Sequence, residues 1–511
     1  MTSHQSGISR PMGLPRRHHG GSLASAAAAA LLAALASSCG GGSTASNGSL
    51  TGTTTGIEGT GFMHAHAVNI GAISGFGSVF LDGVEFDTST AAVSIDGEPA
   101  SVADLRSGQT VRLTGSIGGT GATGAASQVA ADTAAQGPIS AIDRAGSSFT
   151  VLGLTVIVGP NTSLIGPGGA TRLESLAPGT LATVSALVGP GGAVVATRVD
   201  LPASVPAYVL TGAVVQADPS TGQFVLDGLT IDGGAAVLDG FPAGGVQDGQ
   251  VVQVFAPPNP AGGALAATRI RLLPSLAGQS GDGGVIEGVV SQFASTNHFA
   301  VDGVPVAVSA ATTYVGGTAA QLKTNVRVAV QGGYDASGTL NASALQFLGI
   351  DPALVRAPVQ AVDAVHGTVT LLGVTFATAS TTRFEDLSAA ALRTFNLAAV
   401  RIGDYLEVRG QPTGATSVAA SAVMREDAPT DQSVEVRGTA SAVAAPDLTV
   451  LGVPAVTGAG TAFLDAGDDS SGANSFFAKA PGSVVDLRGT LSSGTLQVLV
   501  AKLPSEAGLD D

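Results

Sequence analysis

The sequence predicts an all-β protein made of tandem small barrels, about six units, each of five strands and OB-like. Three observations carry this. A core of the form apolar-x-apolar-[Asp or Leu]-Gly-[Val or Leu] recurs six times, at Val79–Val84, Phe149–Leu154, Phe224–Leu229, Phe299–Val304, Val369–Val374 and Leu448–Val453. Each copy alternates with period two, which buries one face of a strand, and recurrence at a fixed period marks repeated units. Composition agrees: 44% of the 511 residues are hydrophobic, 72 are Gly, and only 12% are charged.

The glycine of each core has a conformational role. A tight primed hairpin needs positive φ, which glycine adopts without a Cβ penalty, and Asp-Gly is among the strongest hairpin signals. Gly83, Gly153, Gly228, Gly303, Gly373 and Gly452 are therefore read as turn glycines. "GAISGFGSVFLDGVEFDTS" at Gly71 is accordingly strand, turn and strand: a phosphate loop sets its glycines between a strand and a helix N-terminus.

A second alternating element closes most units: "ASQV" at Ala126, "ATRV" at Ala196, "ATRI" at Ala267, "ASAL" at Ala342 and "ASAV" at Ala420. Between the two lies a short helical piece ending in Gly, as in "VADLRSGQTVRLTG" at Val102 and "LESLAPGTLATV" at Leu173. Five strands with a helical turn after the third suit a small closed barrel, and closure removes exposed edges. Pro-bearing junctions divide the chain at 57–134, 135–205, 206–277, 278–353, 354–430 and 431–511, the last with an acidic tail. Separate barrels are expected rather than a continuous solenoid, because every unit carries a full set of alternations. A single unit of this size is expected to fold alone, though marginally.

The N-terminus addresses the chain. Arg10, Arg16 and Arg17 precede an apolar stretch from Leu23 to Leu35 that is too short for an ordinary membrane span and has the layout of a signal peptide. Met1 and Met12 both serve as possible starts. The one cysteine, Cys39, ends this leader. "LASSC" resembles a bacterial lipoprotein signal, with Ala36 where that motif favours Leu. The resemblance implies cleavage after residue 38, lipidation of Cys39, and, with Gly40 following, an outer-membrane lipoprotein facing the periplasm or the cell surface. Residues 39–56, rich in Gly, Ser and Thr, are expected to be a flexible tether.

"GIEGTG" at Gly56 and "GAISGFGSVFLDGVEFDTSTAAVSIDGEPASVADLRSGQTVRLTGSI" at Gly71 resemble bacterial lipoproteins built from the domain of unknown function numbered 5666. The resemblance implies an exported, repeated β-domain and transfers no catalytic residue.

Chemistry-bearing clusters are few. His64 and His66 form a weak metal candidate without a third ligand nearby, since zinc sites use three or four. Asp465, Asp468 and Asp469 are hard oxygen ligands without the spacing of a calcium loop, and the segment from Leu464 to Phe476 reads as a solvated insertion. "RFED" at Arg383 and "MREDAPTD" at Met424 read as solvated turns. No metal, cofactor or catalysis is expected. With 22 Lys and Arg against 38 Asp and Glu, nucleic acid is not an expected partner. The expected partners are the membrane, through Cys39, and envelope proteins or polysaccharide. Two function classes follow: a structural or interaction protein of the envelope, and an oligosaccharide-binding module, the latter disfavoured by the absence of Trp and the presence of only four Tyr.

Overall fold

Where alternating apolar residues flank an X-Gly pair, the chain reverses and the two arms pair. The computed structural model describes residues 64–504 apart from 82–83, 119–122, 160, 259–262, 277, 316, 349–350 and 380–381. The fold is all-β. In barrel 1 (64–131) the strands His64–Gly75, Val79–Leu81 and Val84–Asp87 form an antiparallel meander. The third strand then pairs in parallel with the last, Thr123–Ala131, which pairs with the fourth, Thr110–Ile117, and this returns to the first. The ring closes in the order first, second, third, fifth, fourth.

The same ring closes at 135–200 (barrel 2), 283–347 (barrel 4), 353–426 (barrel 5) and 434–502 (barrel 6). At 208–272 (barrel 3) it is interrupted. The first strand breaks at Val214 and the last breaks between Ala266 and Arg269, so the ring falls into two sheets. A second piece of the third strand, such as Ala92–Ile95 or Arg383–Asp386, runs parallel to the fifth strand in the first five barrels. In barrel 6 the whole third strand is continuous, Val453–Leu464.

Short 3-10 turns follow at Val102–Asp104, Leu173–Ser175, Ala319–Gln321 and Leu397–Ala399. In barrel 6 the equivalent is an α-helix, Ala473–Lys479, with Phe476 fully buried. Part of the segment read as a solvated insertion is thus core structure. Each ring is filled by the alternating apolar face: Phe86, Phe149, Phe224 and Phe376 are fully buried, each contributing about 1.5–3 kcal/mol.

The barrels are not separate beads. The N-terminal half of each first strand runs past its hairpin with the second strand, which leaves one edge free, and free edges pair. Ala67–Ile70 of barrel 1 pair in parallel with Gly283–Ile286 of barrel 4. Ala135 and Gln136 of barrel 2 pair with Leu210 and Val209 of barrel 3. Leu354–Arg356 of barrel 5 pair with Glu435–Arg437 of barrel 6. Cores follow the ladders: one continuous cluster fills barrels 2 and 3, and another fills barrels 5 and 6. The described residues form one compact unit.

Candidate functional site

The X-Gly turns come first, because they set where the barrels meet. Leu152-Gly153, Asp227-Gly228, Asp302-Gly303, Leu372-Gly373 and Leu451-Gly452 all have positive φ at both residues, as at Asp302 (48°) and Gly303 (74°). That is the type I′ geometry, which only glycine tolerates freely at the second position. Around Gly228 and Gly373 an added Cβ meets nothing within 4 Å, so backbone conformation alone demands glycine there. Gly83 and Cys39 lie outside the described residues.

Two of these turns dock on other barrels and carry perturbed acids. Asp302, 3% exposed, accepts a hydrogen bond from the Val188 backbone N–H of barrel 2. Burial, together with the nearby Glu287 charge, outweighs that bond and pushes its carboxyl up to about 8. Asp227, beside Gly153 of barrel 2, is pushed up to about 6 by burial.

Charged side chains are gathered at the seams between barrels. Glu407 in the fourth strand of barrel 5 is fully buried and pairs with Arg356 and Arg409. Burial opposes its charge, but the two guanidiniums win and hold the carboxyl low. Arg356 also approaches Glu435 of barrel 6 at 3.6 Å and Glu426 at 3.9 Å. Glu426 is pushed up to about 7, mainly by burial, with the Glu407 charge adding to it.

Barrel 2 supplies the other side of this seam. Its Arg172 pairs with Glu435, and its Glu174 with Lys502 of barrel 6. Its Arg198 pairs with Asp200 at 2.7 Å and with Glu385 of barrel 5, and donates to the Ser107 carbonyl of barrel 1 at 2.8 Å. Arg383, 9% exposed, donates to the Ser163 hydroxyl. "RFED" is therefore a strand, buried at Arg383 and half-buried at the other three residues, and Met424–Glu426 likewise end the fifth strand Ser417–Glu426 with Met424 at 1% exposure. "RFED" and Met424–Glu426 are not solvated turns, because their charges meet partners on barrel 2 or within their own sheet, whereas Asp427–Asp431 follow as a mostly exposed turn. Barrels 1 and 3 join through Gln253, whose amide donates to Asp96 at 2.7 Å, and through Arg271 with Asp132.

Where barrels 2, 5 and 6 meet, a cleft of about 160 Å³ opens, lined by Arg144, Arg172, Arg356, Arg409, Arg437 and Lys502 among others. A second cleft, of about 350 Å³, lies between barrels 1 and 4 and is lined by His66, Arg112, Thr114, Gln128 and Asp282.

The metal candidates are not brought together. His66 is exposed on the first strand, which begins at His64. Asp465 accepts backbone N–H groups of Gly467 and Asp469 in its own loop. Asp468 pairs with Lys502 at 2.7 Å and with Arg144 at 3.7 Å, so it is an inter-barrel partner. Among the described residues no group of three or more His, Cys, Asp or Glu is placed to hold a metal.

A family model described as a domain of unknown function, DUF5666, matches residues 136–200, 287–346, 356–424 and 437–501. These segments cover about half of the chain. The chain belongs to the DUF5666 family. The matches coincide with barrels 2, 4, 5 and 6, so a DUF5666 repeat is one five-stranded ring with its X-Gly hairpin. Gly71–Ile117, which carries the resemblance in the sequence, lies outside the matched segments. No curated protein matches the chain.

Proposed function

We propose that this protein is an exported envelope protein, anchored at the outer membrane by lipid on Cys39, that presents its OB-like DUF5666 barrels as one rigid structural or interaction body. The observation that carries this reading is the way repetition is used. Free strand edges and buried ion pairs join the barrels to one another, as a scaffold requires, with barrel 2 in ion-pair contact with barrels 5 and 6. The leader ending in Cys39 supplies the address. No catalytic role is proposed. Growth with labelled palmitate tests the anchor: the native chain should take up label and stay in the membrane fraction, and Cys39→Ser should do neither. A substituted chain that remains membrane-bound through a salt wash rejects the anchor.

A second reading, binding of envelope polysaccharide, draws support from the cleft between barrels 1 and 4. Arg112, Thr114, Gln128 and Asp282 are hydroxyl-binding groups on one concave surface. Retention on immobilised polysaccharide that is lost in Arg112→Ala tests it, and equal retention rejects it.

A further inference from the structure

The cleft between barrels 2, 5 and 6 concentrates positive charge in an acidic protein. Six of the chain's 22 Lys and Arg line it together with three carboxylates, Glu174, Glu435 and Asp486, so cations outnumber acids there in a sequence whose formal net charge is −16. Five of the six meet carboxylates: Arg144 meets Asp468, Arg172 meets Glu435, Arg356 and Arg409 share Glu407, and Lys502 bridges Glu174 and Asp468. Arg437 is the exception. It stands on the first strand of barrel 6, opposite Asp486 in the ladder. Its Nε is buried and has no hydrogen-bond partner. Its charge acts with those of Arg327 and Arg409 on the buried Asp351 carboxyl. A buried guanidinium N–H without an acceptor is costly, and the planar fork of Arg is shaped for oxyanions. Nearby, burial first and the Arg356 charge second hold Arg172 below its ordinary value, against the opposing charges of Asp486, Glu174 and Glu407. The Thr171 hydroxyl lines the same wall.

We infer that this cleft binds a phosphate group, held by Arg437 with Arg172 and Lys502. Two negative charges on a tetrahedral group suit cations arriving from two barrels, and about 160 Å³ accommodates a small head rather than a polymer. Bound there, the group would bridge barrels 2 and 6. The phosphate comes either as the free ion or as a monoester on an envelope molecule. This inference is independent of the anchor on Cys39.

The test uses the soluble chain carrying Cys39→Ser, titrated calorimetrically with inorganic phosphate and, separately, with glycerol 3-phosphate, at ionic strength matched with chloride. Binding at one site is expected, weakened at least tenfold by Arg437→Gln. Tighter binding of the ester than of the free ion assigns an esterified source, and the reverse assigns free phosphate. Because the Arg437 Nε has no hydrogen-bond partner to lose, Arg437→Gln should keep the native thermal midpoint in phosphate-free buffer to within about 1 °C, and phosphate should raise the midpoint of the native chain only. Arg437→Lys, which keeps the charge without the fork, should bind with intermediate affinity. Absence of binding by both anions, or equal binding by the native and Gln chains, overturns the inference.

Discussion

Gly410→Ala isolates the tightest steric demand of barrel 5. The fourth strand of barrel 5, Tyr405–Pro412, slips register against the fifth strand between Arg409 and Gly410. A methyl on Gly410 would overlap the Ala419 carbonyl oxygen and stand 2.8 Å from its carbon and 2.9 Å from Val418 Cγ1. Retreat is blocked, because Gly410 is also paired with Ala353 on its other side, and Val418 is 1% exposed in the core shared with barrel 6. Overpacking of this kind costs about 1–3 kcal/mol, and with backbone on both sides the upper half of that range is expected. Gly458→Ala is the control. Its Cβ meets nothing within 4 Å and its φ is not positive, so a change between zero and a gain of about 1 kcal/mol is expected. Urea unfolding followed by far-ultraviolet circular dichroism reads both. Equal midpoints for the two variants would refute the steric argument. The same slip recurs at Gly115, Gly332 and Gly489, whereas barrel 2 has Ala186 there. It is the close approach, not the slip, that excludes a side chain.

Asp302 stays protonated in the native chain at pH values where the unfolded chain is ionised, so its contribution to stability falls as pH rises from about 4 to about 8. Asp302→Asn, which keeps an Asn-Gly turn, should flatten that slope and stabilise the protein at pH 8; unfolding free energies with an unchanged slope speak against it. Glu407→Gln leaves Arg356 and Arg409 facing an uncharged amide in a buried site, and a loss of about 3–5 kcal/mol is expected in urea unfolding. A loss below about 1 kcal/mol would show the pair to be replaceable. Residues 207–274 alone should give poorly dispersed amide resonances, and residues 134–274 well-dispersed ones, because barrels 2 and 3 share a core. Dispersion in the shorter fragment would show the shared core to be unnecessary.

What the sequence disclosed was local. Period-two runs around X-Gly announced the second and third strands, since Phe149-Thr150-Val151 and its counterparts alternate cleanly. The third strand's second piece was not distinguishable as an element, because "RFED" puts charge where burial was not anticipated. Its partners explain why. Arg198 and Glu385 are 187 residues apart, and Arg172 and Glu435 are 263 apart, so no spacing on one segment shows that these charges neutralise each other. The joining of barrels was hidden for a similar reason. Ala67–Ile70 and Leu354–Val355 are buried without a break, a pattern that fits a strand enclosed on both faces but does not name its neighbour. Arg437 gave no signal in the sequence at all: its distinction is the lack of a partner.

Scanning calorimetry of the soluble chain, native against Gly410→Ala, tests most directly whether the barrels form one body. With shared cores and buried inter-barrel ion pairs, a single endotherm is expected, with calorimetric and van't Hoff enthalpies in agreement and the whole transition lowered by a substitution confined to barrel 5. Several transitions, only one of which moves, would contradict it and return the barrels to independent beads.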